Sequence, residues 1–280
     1  MSVSRYRMLA QIATYILFAL ITVFFLFPIL WVLSTSFKTT QELFSVPPTL
    51  LPASLQFENY LHILFNTRIV ISLRNSLILV AGAVAGALLI AYPAAYAFSR
   101  YHFRHKSMVM FLVLIFQMIS PLIIVIPLYN YFIKLNLLNS MVSVICVYIA
   151  AALPFQTWFL KNFIDTIPVE LDEAARIDGC NRALTILRVV FPVTLPGVFS
   201  SGLLTAISSW SQFIVPYILL DDPNKLPAAV ALVNLQSTQD TITTHYLAAA
   251  SIICILPTVL LFLFLQRYIV SALTAGAVKG

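Results

Sequence analysis

The sequence predicts an all-α integral membrane protein with six transmembrane helices and both termini in the cytoplasm. Three observations predict it. Charged residues make up 9% of the 280 residues and hydrophobic ones 61%, against about 25% charge in an ordinary soluble domain. The few charges divide the chain into uncharged stretches long enough for a helix, which needs about 20 apolar residues to cross the hydrocarbon core. The basic residues fall unevenly between alternate loops. Disorder is excluded, because 21 Phe and 12 Tyr are more aromatic surface than a solvated chain carries. A net charge of +6 would suggest nucleic acid in a soluble chain; here topology accounts for it, and no nucleic-acid partner is expected.

Six stretches of at least 25 residues contain no Asp, Glu, Lys or Arg: 8–37, 75–99, 107–133, 135–160, 189–220 and 241–266. The other gaps, 43–57 and 226–239, are shorter and rich in Pro, Asn, Gln or Ser, and read as loops. With the N-terminus inside, eleven basic residues lie in cytoplasmic segments and five outside, namely Lys38, Arg68, Arg74, Lys134 and Lys225. Basic residues are retained on the cytoplasmic side. The first span follows Arg5 and Arg7 as a signal sequence would, but its uncharged stretch is too long for an h-region and no A-x-A site follows, so it reads as a retained anchor. The expected organisation is an N-terminal helix and external loop over 1–70, a five-helix core over 71–268 with a cytoplasmic loop at 161–192, and a cytoplasmic tail over 269–280.

What the spans lack narrows the function. Apart from His245 at the edge of the last, they hold no ionisable group of the kind that binds a coupling ion. No phosphate-binding G-x-x-x-x-G-K-[ST] occurs, nor H-E-x-x-H or G-x-S-x-G in or near a span. Cys146, Cys180 and Cys254 form no C-x-x-C and have no His at metal spacing. No catalytic residue, metal site or resident cofactor is expected, and the chain does not read as an enzyme. The spans nonetheless carry amides, hydroxyls, three Trp and several Pro, which face neighbouring helices or a wet cavity. Gln117, Asn130, Trp210 and Gln212 are the candidates for a solute path, suited to a neutral polar solute; interhelical hydrogen bonding is the other reading of each. Gly82 and Gly86 form a G-x-x-x-G spacing that permits close helix contact.

Between the fourth and fifth spans, residues 161–188 hold nine charges, a composition suited to water or a soluble partner. The local pattern is helix, turn, helix. Pro168 suits a first helical position, and Glu170, Asp172 and Glu173 complement the positive end of the helix dipole. Asp172 and Arg176, four apart, are placed to pair, and Leu171, Ala174 and Ala175 to form one face. Gly179 supplies a left-handed residue that ends the helix, and a second short helix over about 181–190 meets Pro192 where the chain re-enters the membrane. From the residues alone, such a hairpin is either a stiff connector or a docking surface.

The run Glu173-Ala174-Ala175-Arg176-Ile177-Asp178-Gly179, followed by Pro192 and then Leu195-Pro196, resembles the EAA loop of permease subunits of ATP-binding-cassette importers. Cys180, Ile186 and Phe191 depart from that pattern without removing the helix, the turn or the acid. The tail, 273–280, looks like that of carbohydrate permeases similar to the smaller membrane subunit of the maltose importer. The resemblance implies a type I importer permease in the bacterial cytoplasmic (inner) membrane. It also implies a second, similar permease, two ATPase subunits that bind the ATP and Mg, and an extracytoplasmic solute-binding protein. By the same resemblance Glu173, Ala174, Ala175, Asp178, Gly179, Arg182 and Pro192 couple to the ATPase, with contacts from Gly276, Lys279 and Gly280. Asp221, Pro223, Asn224 and Gln236, in the external segment 219–246, would meet the binding protein. The implied cargo is a di- or oligosaccharide, with glycerol phosphate or a polyol as the alternative. A stand-alone channel and a non-transporting scaffold are the readings from other classes.

Overall fold

In the computed structural model, residues 2–237 and 244–277 are described, and among them every regular element is a helix. In chain order these are α1 (Ser2–Ser36), α2 (Thr40–Leu43), α3 (Glu58–Asn66), α4 (Ile69–Arg100), α5 (Lys106–Phe116), α6 (Pro121–Lys134) and α7 (Met141–Ile164). There follow α8 (Glu170–Ile177), α9 (Arg182–Leu184), a π-helical turn (Thr185–Val190), α10 (Phe191–Trp210), α11 (Ile214–Leu219), α12 (Ala228–Ser237) and α13 (Thr244–Ala277).

Five helical segments are long and apolar enough to cross a membrane: Ala10–Ser36, Ile69–Arg100, Met141–Ile164, Arg182–Trp210 and Thr244–Arg267. The expected third span is instead two helices, α5 of 11 residues and α6 of 14. The break has a local cause. Ser120 is extended, with ψ of 132°, because the residue before a proline is pushed out of the helical region, and Pro121 then opens α6 where its missing N–H costs nothing. The expected fifth span is also interrupted: α10 ends at Trp210, and α11 starts only at Ile214. At its other end that span begins earlier than expected. The Asn181 side chain accepts from the Leu184 N–H, and the chain runs through the π-helical turn and past Pro192 without stopping. The segment expected as an external loop contains α12 and buries Leu226, Ala228 and Val230.

The chain divides into two compact units, residues 1–69 with 232–255, and residues 70–231 with 256–280. In the first, α1 is exposed along most of its apolar length, with Tyr15 and Phe24 each at 74%, as a lipid-facing helix allows. Its C-terminal carbonyls are closed by Asn59, whose amide donates to Ser36 O at 2.9 Å and Lys38 O at 3.1 Å. Thr39 and Glu42 form a capping box, and Glu42 also accepts from the Ala53 N–H at 2.8 Å. The N–H groups of Thr39 and Ala53 hold its carboxyl below the usual range.

In the second unit α4, α7 and α10 pack closely because small residues face large ones. A side chain at Gly82 or Gly86 would meet Ile145 or Ile149 of α7, and one at Gly197 of α10 would meet the Phe163 ring. On α4, Ala83, Ala87, Ala91 and Ala95 recur every fourth residue and are all fully buried, a small-residue stripe that brings backbones together. One apolar cluster gathers Leu79, Val144, Tyr148, Val215 and Val230; another gathers Tyr92, Tyr96, Leu160, Ile164 and Val198.

Candidate functional site

The charged hairpin is built on α8, a helix with three acidic residues in its first turn and Arg176 in its last. Gly179 has φ of +84°, the left-handed conformation that reverses the chain after the helix. Asp172 does not pair with Arg176 as its spacing suggested. It is 6% exposed and turned inward. Its Oδ2 accepts from Arg100 Nε at 2.8 Å and its Oδ1 from the Tyr96 hydroxyl at 2.6 Å. Arg100 also donates to Ile167 O at 3.1 Å and Ile164 O at 3.4 Å, so one guanidinium ties the C-terminal end of α4 to the end of α7 and to α8. An i,i+4 pair on the surface is worth a few tenths of a kcal/mol, whereas the enclosed partners satisfy both carboxylate oxygens. That difference decides the rotamer. Nearby, Lys161 pairs with Asp165 at 2.6 Å, and the Ser99 hydroxyl donates to Asp165 at 2.6 Å.

This anchoring sets which face of α8 is free. Ala175 is 5% exposed, so it leaves the face expected for Leu171, Ala174 and Ala175. The outward face consists of Glu170, Glu173, Ala174 and Ile177, spaced i, i+3, i+4 and i+7, with Ile177 86% exposed. Asp178, Gly179, Arg182 and Pro192 are also exposed, and the Arg182 guanidinium lies 5.2 Å from the centre of the Tyr101 ring. Ile177 thus stands exposed between the acids of α8 and Asp178, on the face that the inward turn of Asp172 leaves uncovered. Gly276 lies in α13, while Lys279 and Gly280 fall outside the described residues.

At the opposite end of α4 a second polar cluster holds residues 219–228. Asn75 Nδ2 donates to Asn224 O at 2.7 Å and Leu226 O at 3.2 Å, and Ser76 Oγ accepts the Ala228 N–H at 2.8 Å. Asn139, at φ of +55°, donates its N–H to Leu219 O at 2.8 Å and accepts Lys225 Nζ on its carbonyl at 2.8 Å. These contacts were not anticipated from the sequence; an Asn that tolerates the left-handed region just before a helix start was the available signal for Asn139. Asp221, Pro223, Asn224 and Gln236 are all exposed.

Of the solute-path candidates, Gln117 caps the end of α5 and Gln212 lies in the break after α10, whose last residue is Trp210. Gln117 and Asn130 are exposed, and Trp210 and Gln212 half-buried. Two cavities, one against α1 and one beside α3, are lined by none of the four. Gln156 is fully enclosed with its amide unpartnered, so it does not line a path.

Five helices long and apolar enough to cross a membrane, with a charged hairpin between α7 and α10, fit a polytopic membrane protein, and its relatives make it a permease, a transport protein rather than an enzyme. The chain belongs to the family described as binding-protein-dependent transport system inner membrane component, whose model matches residues 82–275. Membership implies ATPase and substrate-binding partners. The chain is 34% identical over 277 residues to the inner membrane ABC transporter permease protein YcjP of Escherichia coli (strain K12), covering 98% of each. It is 31% identical to the trehalose/maltose transport system permease protein MalG of Thermococcus litoralis, covering 93% of this chain and 94% of that one. Its fold matches a chain of a bacterial ABC transporter involved in the import of the acidic polysaccharide alginate, with a TM-score of 0.82, 22% identity, and 94% and 98% of the two chains covered.

Proposed function

We propose that this chain forms half of the translocation pathway of a bacterial sugar importer. A second, similar permease supplies the other half, and two ATPase subunits, which bind the ATP and Mg, dock on the hairpin. An extracytoplasmic binding protein delivers the sugar. The observation that carries this reading is the outward face of α8, Glu170, Glu173, Ala174 and Ile177, held open by the inward anchoring of Asp172. Closure of the ATPases pushes on that face and alternates access to the cavity between the permeases. The exposed residues Asp221, Pro223, Asn224 and Gln236 meet the binding protein. The cargo is a neutral di- or oligosaccharide: sugars are the named cargo of a relative, and none of the four path candidates carries a charge to meet a phosphate. A panel of labelled sugars, polyols and glycerol phosphate offered to the cognate binding protein tests this; selective retention of glycerol phosphate or a polyol removes the saccharide.

In the same reading α5 and α6 together make the third of six crossings, both termini are cytoplasmic, and the membrane is the inner one. The eleven-to-five basic asymmetry supports this orientation. Single cysteines in a background lacking Cys146, Cys180 and Cys254 test it in intact cells. An impermeant maleimide is expected to label position 224 and spare position 279; labelling of 279 overturns the orientation.

A further inference from the structure

We propose that α4 is a strut carrying motion between the ATPase-docking hairpin and the external loop, with Asn75, Ser76, Tyr96 and Arg100 as the positioning residues that fasten its ends. The inference rests on the proposed function and its orientation. From Asn75 to Arg100 the helix runs about 38 Å at about 1.5 Å per residue, longer than the hydrocarbon core of about 30 Å. That length lets both fastenings reach the bilayer surfaces, where the proposed partners bind.

At the cytoplasmic end, both oxygens of Asp172 are taken by α4, one by Tyr96 at 2.6 Å and one by Arg100 at 2.8 Å. The two side chains of the ion pair are only 8% and 9% exposed, so water cannot replace either partner without opening the structure. A push on α8 thus reaches the end of α4 directly. At the external end one amide, Asn75, grips the carbonyls of Asn224 and Leu226, and Ser76 holds the N–H of Ala228. Three backbone groups within five residues fix both the position and the direction of that segment against α4. Asn75 and Ser76 are 1% and 3% exposed.

Between the fastenings α4 is enclosed by its neighbours, with Ala83 and Ala87 fully buried. Pro93 is the point at which its hydrogen-bond ladder lacks a donor, but Ala91 and Ala95 on either side are fully buried. A displacement at one end is thereby delivered to the other as movement of one body. By linkage, the binding protein biases the hairpin by the same free energy with which the hairpin biases the external loop.

The test uses the complete complex in proteoliposomes and reads the ratio of binding-protein-stimulated to basal ATP hydrolysis. Asn75→Ala removes the donor to Asn224 and Leu226. Tyr96→Phe removes one of the donors to Asp172 and keeps the Arg100 pair. Each is expected to lower the ratio at least about threefold, with basal hydrolysis and complex yield retained. The two sites are about 32 Å apart along the helix, a separation at which independent effects add. Through one strut, the double variant is expected to fall no further than the worse single variant. Multiplied single effects in the double variant overturn the inference, and so does an unchanged ratio in an assembled Asn75→Ala complex. If Asn75→Ala does not assemble, Ser76→Ala, which removes only the acceptor for Ala228, takes its place and the same ratios decide. A wild-type complex indifferent to the binding protein contradicts the proposed function itself and takes the strut with it. A responsive wild type with an equally responsive Asn75→Ala overturns the strut alone.

Discussion

Glu173→Lys is expected to release the ATPase subunits and abolish sugar uptake while the permease stays at normal abundance in the membrane. Glu173 is exposed on the outward face of α8, where a charge reversal in an unpartnered protein shifts stability by less than about 0.5 kcal/mol. At a docked interface, losing a close charge partner costs about 2 to 5 kcal/mol, roughly thirtyfold or more in affinity. Gly179→Asp acts by another route. A side chain there meets nothing within 4 Å, so the substitution makes no clash. Its cost is the left-handed backbone, about 1 to 2 kcal/mol, relieved by re-aiming the helix that Asn181 caps. Both variants are read by ATPase copurification and uptake beside membrane abundance. Normal binding and uptake in both reduce the hairpin to a connector.

The second large effect lies in the packing of α10. A Cβ at Gly197 would stand 2.5 Å from Cγ of the Phe163 ring, whereas at Gly202 its nearest neighbour is Val84 Cγ1 at 3.5 Å. Alanine at either position gains about 1 kcal/mol of helix propensity. At Gly197 that gain is opposed by overpacking of about 1 to 3 kcal/mol, because a ring cannot turn aside as the end of an aliphatic chain can. Gly197→Ala is therefore expected to be less stable than Gly202→Ala by about that amount. Thermal unfolding of the two purified variants in detergent measures the difference. Equal transition temperatures would mean that Phe163 yields freely and that α7 and α10 are not tightly apposed.

The sequence made the helical membrane class legible because charge placement is governed by the bilayer. The uncharged stretch 75–99 falls inside Ile69–Arg100, and 241–266 nearly coincides with Thr244–Arg267. The breaks at 117–120 and 211–213 were invisible to a count of charges, since they arise from local backbone preference. Ser120-Pro121 carried the signal for the first, and the uncharged stretch masked it. On the hairpin, Gly179 and the acidic first turn were readable because caps and turns are local. Asp172 was misassigned to Arg176 because its partners, Tyr96 and Arg100, are more than 70 residues away in the chain. The same holds for Asn75 and Asn224, about 150 residues apart. Long-range polar pairs leave no periodicity to read.

The most direct test of the importer assignment is purification of the tagged chain from its native membrane, followed by reconstitution with its binding protein. The account predicts that a second permease and two ATPase subunits copurify, and that sugar accumulates in proteoliposomes only when ATP and the loaded binding protein are both supplied. A chain that purifies alone, or that equilibrates solute without ATP, would contradict it.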